Sequence, residues 1–200
     1  GTNGKTTTAT LLYGITFALV YKAGLISTVE NIINGEVVVA LDGRPVPGTT
    51  PDPVSLYQLL NKMAEKGCEY VFMEVSSHAL DQKRVAGINF TGGIFTNLTH
   101  DHLDYHKNFD NYFEAKKKFF KMLPEYAFAL SNIDDEYGKK MLEGIKARKF
   151  SYGFNNSENF HGEIKKLDFS GLELKINSYS GSTAVNSKLL GKFNASNLLA

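Results

Sequence analysis

The first ten residues, GTNGKTTTAT (residues 1–10), read as a phosphate-gripping loop that runs straight into a helix. Gly1 and Gly4 bracket Thr2 and Asn3 and permit the tight backbone that turns successive N–H groups toward phosphate oxygens. The partial positive charge at the start of the helix adds to the attraction. Lys5 can neutralise the β- and γ-phosphates of a nucleotide, and the hydroxyl of Thr6 or Thr7 can take a place on Mg²⁺. The glycine that usually opens such a loop, five residues before Gly4, would precede Gly1, as would the strand that feeds it. A Gly/Thr-rich helix start with no ligand therefore stands as the alternative.

Outward from the loop, residues 6–22 read as a helix ended by Gly24, and LISTVEN and GEVVVAL as short β-rich runs. Residues 42–53 form a turn-rich loop holding four of the five prolines. Asp52 can cap a helix with Pro53 at its first position and Leu56, Leu59, Leu60 and Met63 on one face. YVFMEV is a nearly unbroken apolar run, as a buried parallel strand should be. INFTGGIFTN is another, interrupted by Gly92 and Gly93; residues 109–123 read as a helix and YAFALSN as a strand. DDEYGKKMLEGIKA then reads as a third, exposed helix and KFSYGF as a strand. This alternation predicts an α/β fold, a mostly parallel sheet of the P-loop type flanked by helices. From 159 to 188 the pattern changes to short strands broken by Gly162, Gly171 and Gly181, which predicts a small antiparallel annex.

Composition narrows the setting. An apolar content of 42% and a charged content of 22% are ordinary for a globular chain of 200 residues. A net charge of +1 argues against a broad nucleic-acid-binding face. The single Cys68 rules out an internal disulfide and suits a reducing compartment, with packing as its expected role. The richest apolar run, residues 13–21, is about half the roughly 20 residues of a membrane span. The expectation is a cytoplasmic, monomeric enzyme with no membrane insertion.

Three further features carry chemistry. Glu74 ends the YVFMEV strand, where a nucleotide site presents a carboxylate to its metal; a strand-end Glu pointing to water is the bland alternative. In NFDNYFEAKKKFFKML, Phe109, Tyr112, Phe113, Phe119, Phe120 and Leu123 form one apolar stripe. Lys116 falls inside that stripe, while Lys117 and Lys118 are expected to turn to solvent. The Lys116 head either snorkels outward or is a buried amine, whose neutral form can add CO₂ to give a metal-ligating carbamate. TNLTHDHLDYH sets His100, His102 and His106 beside Asp101 and Asp104, which suggests metal or acid–base work. A zinc-dependent hydrolase using the three histidines is one reading; Tyr105 spoils its usual spacing. A polar loop with capping aspartates is another, and a non-catalytic nucleotide-binding module remains open beside both.

Taken together, GTNGKTTT, GTTPDP, MEVSSHALDQKRV, TNLTHDHLDYH, YFEAKKKFF and GKFNASNLLA resemble the central domain of Mur ligases, in the family's order and spacing along the whole chain. VSSHALDQKR is most similar to the branch that adds the third residue of the peptidoglycan stem peptide. The resemblance implies an ATP-dependent amide-bond ligase of cell-wall synthesis, acting on UDP-N-acetylmuramoyl-L-alanyl-D-glutamate through an acyl phosphate. Its acceptor is a diamino acid, meso-diaminopimelate ahead of L-lysine. By position it puts Lys5 and Thr6 on ATP phosphates and Mg²⁺, Glu74 and His102 on magnesium ions, and a carbamylated lysine at Lys116. Thr49, Thr50, Ser76, Gln82 and Arg84 match substrate-contacting residues, and Asn194 and Asn197 the segment near adenine. His78, His100 and His106 are expected in structural or supporting roles. The resemblance further implies that residues 1–200 are the central ATP-binding domain without its first strand. The domains that hold the uridine end and the incoming amino acid would lie outside this sequence, so the chain alone is expected not to turn over.

Overall fold

A computed structural model describes residues 1–39, 48–99, 103–155 and 159–200. They form two compact units, Lys5–Ile88 and a second made of Gly1–Gly4 with Asn89–Ala200. No described helix is long and apolar enough to cross a membrane.

The Lys5–Ile88 unit holds α1 (Lys5–Ala18), β1 (Ala23–Ile26), β2 (Asn31–Ile33), β3 (Glu36–Val38), α2 (Pro53–Glu65), β4 (Tyr70–Met73) and α3 (Ser77–Asp81). Its sheet has the order β3-β2-β1-β4, with β1 parallel to β4 and antiparallel to β2. Ala9 and Tyr13 of α1 pack on Ala23 and Leu25 of β1, with Ile32 and Phe72 closing the cluster. The helix stops earlier than its sequence suggests. Val20 takes a left-handed φ of 67°, unfavourable for a β-branched residue, and the expected stop, Gly24, lies inside β1. LISTVEN is broken too, because the Ser27 hydroxyl accepts the N–H groups of Val29 and Glu30 and folds the chain into a turn.

At α2 the expected cap is present. Asp52 accepts from the N–H groups of Val54 and Ser55, Pro53 opens the helix, and Leu56, Leu59 and Met63 are buried. The Ser55 bonds hold the Asp52 carboxyl below the usual carboxylate range. YVFMEV runs parallel as predicted, but β4 is the outer strand of this sheet and exposes Tyr70 and Val71. Burial pushes the Cys68 thiol up from its ordinary value, and the thiol donates to Asn34 Oδ1 at 3.4 Å.

The other unit holds β5 (Gly92–Phe95), α4 (Leu103–His106), α5 (Phe109–Met122), β6 (Phe128–Asn132), α6 (Gly138–Leu142), β7 (Arg148–Gly153), β8 (Phe160–Asp168), β9 (Gly171–Ser178), β10 (Gly181–Ser187) and α7 (Lys192–Leu199). The sheet order is β10-β9-β8-β7-β6-β5. β5 to β8 are mutually parallel, and β8 to β10 antiparallel. The α/β class and the antiparallel annex are as predicted, but the annex continues the parallel sheet through β8, and Gly162 sits within that strand. Leu130, Tyr152, Leu174 and Leu199 form the buried centre, where burial pushes the Tyr152 phenol well above its ordinary value.

Two expectations here need correction. The segment read as an exposed third helix is helical only over Gly138–Leu142, and its Met141 is fully buried. Lys117 does not turn to solvent. It is buried, donates to the Lys140 carbonyl at 2.6 Å and lies over the Phe113 ring, so an ammonium here serves the exposed carbonyls at the end of α6. Lys118 is exposed as expected.

Candidate functional site

In the unit containing Gly1–Gly4, the loop backbone is strapped to the segment that follows β5. Thr2 N–H donates to the Asn97 carbonyl at 2.8 Å. The Asn97 side chain accepts from Asn3 N–H at 2.8 Å and donates to the Asn3 carbonyl at 3.1 Å. Thr96 Oγ1 donates to the same carbonyl at 2.6 Å. This holds Gly1 so close that an added Cβ would overlap Thr96 Oγ1 and lie 2.9 Å from the Asn97 nitrogen. Gly4 has a φ of +81°, and a Cβ there would overlap Asn197 Oδ1. Both glycines of the motif are thus required by their surroundings: Gly1 by its neighbours, Gly4 also by its backbone conformation. Gly1→Ala is expected to weaken nucleotide binding about tenfold or more, since overpacking costs about 1–3 kcal/mol; calorimetric titration of Mg²⁺-ATP into the full-length variant measures it.

Beyond Gly4 the chain enters α1, whose first turn carries no acidic residue. The N–H groups of a first helical turn have no acceptor within the helix, and with no acidic side chain in the turn itself the macrodipole there favours an anion. Lys5, Thr6 and Thr7 occupy this turn and are half-buried.

Helix α5 presents its stripe to the strapped loop. Asn108 caps it by accepting from Asn111 N–H. Tyr112 is fully buried, with its hydroxyl 3.0 Å from Thr2 Oγ1. One turn on, Lys116 is 6% exposed; its Nζ donates to the Gly1 carbonyl at 3.2 Å and sits 4.4 Å from the centre of the Tyr112 ring. The snorkelling alternative is therefore set aside. His106 is buried, its ring 4.9 Å from that of Tyr105 and 5.1 Å from that of Tyr112. His100, Asp101 and His102 lie outside the described residues. Among the described residues no group of three or more His, Cys, Asp or Glu is placed to hold a metal ion.

At α7, Asn197 is buried against Gly4 and donates to Asn194 Oδ1 at 3.2 Å; Asn194 in turn donates to the Leu190 carbonyl at 2.8 Å. Asn197 is thus a buttress of the loop, a role the sequence reading did not include.

In the Lys5–Ile88 unit, the remaining candidates converge. Glu74 is 2% exposed, one carboxylate oxygen accepting Thr28 N–H at 2.8 Å and the other the Thr28 hydroxyl at 3.2 Å. Such a buried, pre-oriented carboxylate suits a hard cation with oxygen ligands. The Thr28 and Thr49 hydroxyls lie 3.1 Å apart. Thr28 is the donor in this pair too, so its single proton is shared between the carboxylate and Thr49. Thr50 is buried, its hydroxyl donating to the Glu74 carbonyl at 2.9 Å and accepting Ser76 N–H at 3.1 Å. Its side chain braces this cluster. Ser76 caps α3 by accepting from Ala79 N–H. Arg84 donates to Gln82 Oε1 and, at 2.8 Å, to the Thr50 carbonyl. Seven polar residues spread over 57 positions of sequence, Thr28 to Arg84, thereby share one network.

Sequence reasoning missed Thr28, Thr96, Asn97 and Tyr112. Thr96 and Asn97 follow β5 directly, and ligand-handling residues in α/β sheets cluster beyond the carboxyl ends of strands; that signal was available. Thr28 stands in the same position beyond β1, but inside a run read as continuous strand, and Tyr112 carried no such signal.

The Mur ligase middle domain matches residues 1–200. The chain belongs to this family. It is 52% identical over 200 residues to the UDP-N-acetylmuramoyl-L-alanyl-D-glutamate–2,6-diaminopimelate ligase of Phocaeicola vulgatus, covering all of this chain and 39% of that protein. It is 37% identical to the ligase of the same name from Clostridium tetani, with the same coverage. A solved structure of a ligase of that name superposes with a TM-score of 0.88 at 29% identity, over 100% of this chain and 40% of that one. A MurF ligase from Thermotoga maritima in complex with ADP shares the fold, with a TM-score of 0.71 at 16% identity over 42% of its length. The chain thus spans about two-fifths of the length of these relatives.

Proposed function

We propose that the chain is the ATP-handling part of a longer ligase that joins meso-diaminopimelate to UDP-N-acetylmuramoyl-L-alanyl-D-glutamate. The observation that carries the nucleotide half of this reading is the strapped loop, whose two glycine positions leave no room for a Cβ. The substrate half rests on the names of relatives that are half identical to this chain.

In this reading Lys5 and the first turn of α1 hold the ATP phosphates. Thr6, Glu74, His102 and Lys116, the last as its carbamate, hold Mg²⁺, which supplies charge neutralisation at the transferring phosphoryl group. The carbamate forms when the Lys116 amine nitrogen bonds to the carbon of CO₂ and its proton leaves to water. A substrate carboxylate oxygen then attacks the γ-phosphorus of ATP, and ADP departs. The acceptor amine attacks the acyl-phosphate carbon, the tetrahedral adduct expels inorganic phosphate, and the amine proton passes to solvent. Buried Glu74, held by two hydrogen bonds from Thr28, contributes fixed negative charge. Arg84 offers a forked donor to a substrate oxyanion once Gln82 yields it. The protein works as a monomer in the cytoplasm, where this nucleotide-linked substrate and ATP are available.

The test is ligation by the full-length polypeptide with ATP, Mg²⁺, the UDP-linked dipeptide and either diamino acid, followed by ADP release and product mass. Release of ADP that requires both the dipeptide and diaminopimelate, with L-lysine at least tenfold poorer, is expected. Nucleotide binding without any ligation would instead identify a bare nucleotide-binding module.

A further inference from the structure

We propose that Tyr112 is a positioning residue for the phosphate loop, acting through a single hydroxyl shared with Thr2. The proposal rests on the reading of residues 1–7 as the nucleotide loop, and goes beyond it by assigning what fixes the loop's shape.

The Thr2 hydroxyl has one proton and two lone pairs. Thr99 N–H donates to it at 3.0 Å, and it faces the Thr99 carbonyl at 3.5 Å and the Tyr112 hydroxyl at 3.0 Å. All three contacts are satisfied together in one arrangement. Thr99 N–H and Tyr112 O–H donate to the lone pairs, and the Thr2 proton points to the Thr99 carbonyl. Tyr112 is fully buried and Thr2 is 7% exposed, so water does not replace either partner at low cost.

The placement makes this hydroxyl more than a packing detail. Thr2 is two residues before Gly4, whose left-handed turn leads into α1. Thr99 precedes the histidine segment. The Tyr112 ring also carries the Lys116 ammonium and packs against His106. Lys116, one turn along α5, takes the Gly1 carbonyl. Helix α5 thus fixes both residues that open the loop, Gly1 through its carbonyl and Thr2 through its side chain. The bonds from Asn97 and Thr96 tie the loop to the segment after β5; the Tyr112 bond sets Thr2 against the helix that bears Lys116.

The experiment uses the full-length polypeptide and four variants: Tyr112→Phe, Thr2→Val, the double variant, and Tyr126→Phe as a control on an exposed ring. Mg²⁺-ATP affinity is measured by calorimetric titration, alongside the KM values for ATP and for the diamino acid and the melting temperature. Tyr112→Phe is expected to weaken ATP binding about five- to tenfold, the loss of one buried hydrogen bond. The diamino-acid KM should hold steady, and the double variant should lose no more than the weaker-binding single. Tyr126→Phe should match the wild type. Additive losses in the double variant, or equal rises in both KM values, would show a tyrosine that merely supports the fold and would overturn the proposal. Should Thr2→Val fail to fold, the split between the two KM values in Tyr112→Phe decides alone. A wild-type protein that binds ATP but does not ligate refutes the ligase reading while the binding ratios still judge Tyr112. One that does not bind ATP refutes both.

Discussion

Gly138→Ala is expected to lower the melting temperature by about 6–12 °C, the equivalent of about 3 kcal/mol for a chain of this size. A Cβ at this position would overlap the Asn132 carbonyl oxygen and lie 2.8 Å from its carbon and 3.0 Å from Ile133 Cα. All three are backbone atoms, so no side-chain rotation relieves the overlap. They also belong to the end of β6, where Asn132 donates to the Thr96 carbonyl at 2.8 Å. The Gly138 carbonyl is itself bound by the buried Ser131 hydroxyl at 2.8 Å. Displacing α6 therefore pulls on β6 from two sides and on the strap that holds the nucleotide loop. Differential scanning calorimetry of the variant measures the loss. A shift below about 2 °C would mean that α6 slides freely, contrary to this packing.

Lys116→Met is expected to reduce turnover on the order of 10³-fold, the cost of removing one charge that stabilises a transition state. The same substitution should change stability by no more than about 1 kcal/mol. Methionine keeps the apolar stem beside Tyr112 and removes a buried ammonium that is costly to desolvate, while it forfeits one hydrogen bond to Gly1. Lys116→Arg separates the two roles open to this side chain. Arginine keeps a cation but has no amine able to take up CO₂, so it should be as inactive as methionine. Steady-state ligation and thermal melts on the full-length polypeptide give both quantities. An active arginine variant would assign Lys116 a purely cationic role and remove the carbamate from the mechanism.

How much of this was legible in the sequence differed by the range of the interaction that decides it. The capped start of α2 was plain, because Asp52, Pro53 and the stripe from Leu56 to Met63 are local signals. The place of Lys116 in the apolar stripe was legible too, since the 3.6-residue period puts it between Tyr112 and Phe120, but the stripe alone left open whether its head is buried. The same period misplaced Lys117, whose burial depends on the end of α6, a helix distant in sequence and shorter than its composition suggested. The run LISTVEN misled because propensity marks β-rich residues but not the Ser27 turn that divides them. For the candidate site, motif spacing singled out the loop from Gly1 to Lys5 and Glu74. Thr28 reaches Glu74 from 46 positions away, Asn97 reaches Asn3 from 94, and Tyr112 reaches Thr2 from 110. No local pattern encodes such contacts.

The Asn97 side chain gives the loop something that usually requires a neighbouring strand. A carboxamide is chemically a peptide group cut free of the chain, with one accepting oxygen and a donating nitrogen at fixed separation. Asn97 offers both to a single residue, taking Asn3 N–H and giving to the Asn3 carbonyl. That reciprocal exchange is the unit of an antiparallel ladder, made here with one strand and one side chain. Aspartate has no donor to offer, and leucine, of similar size, has neither group. Hydrolysis of this one amide, a chemical ageing reaction rather than a mutation, would therefore remove the donor half of the exchange and set a carboxylate against the Asn3 carbonyl, while Asn3 N–H keeps its acceptor and Thr96 Oγ1 still donates to that carbonyl.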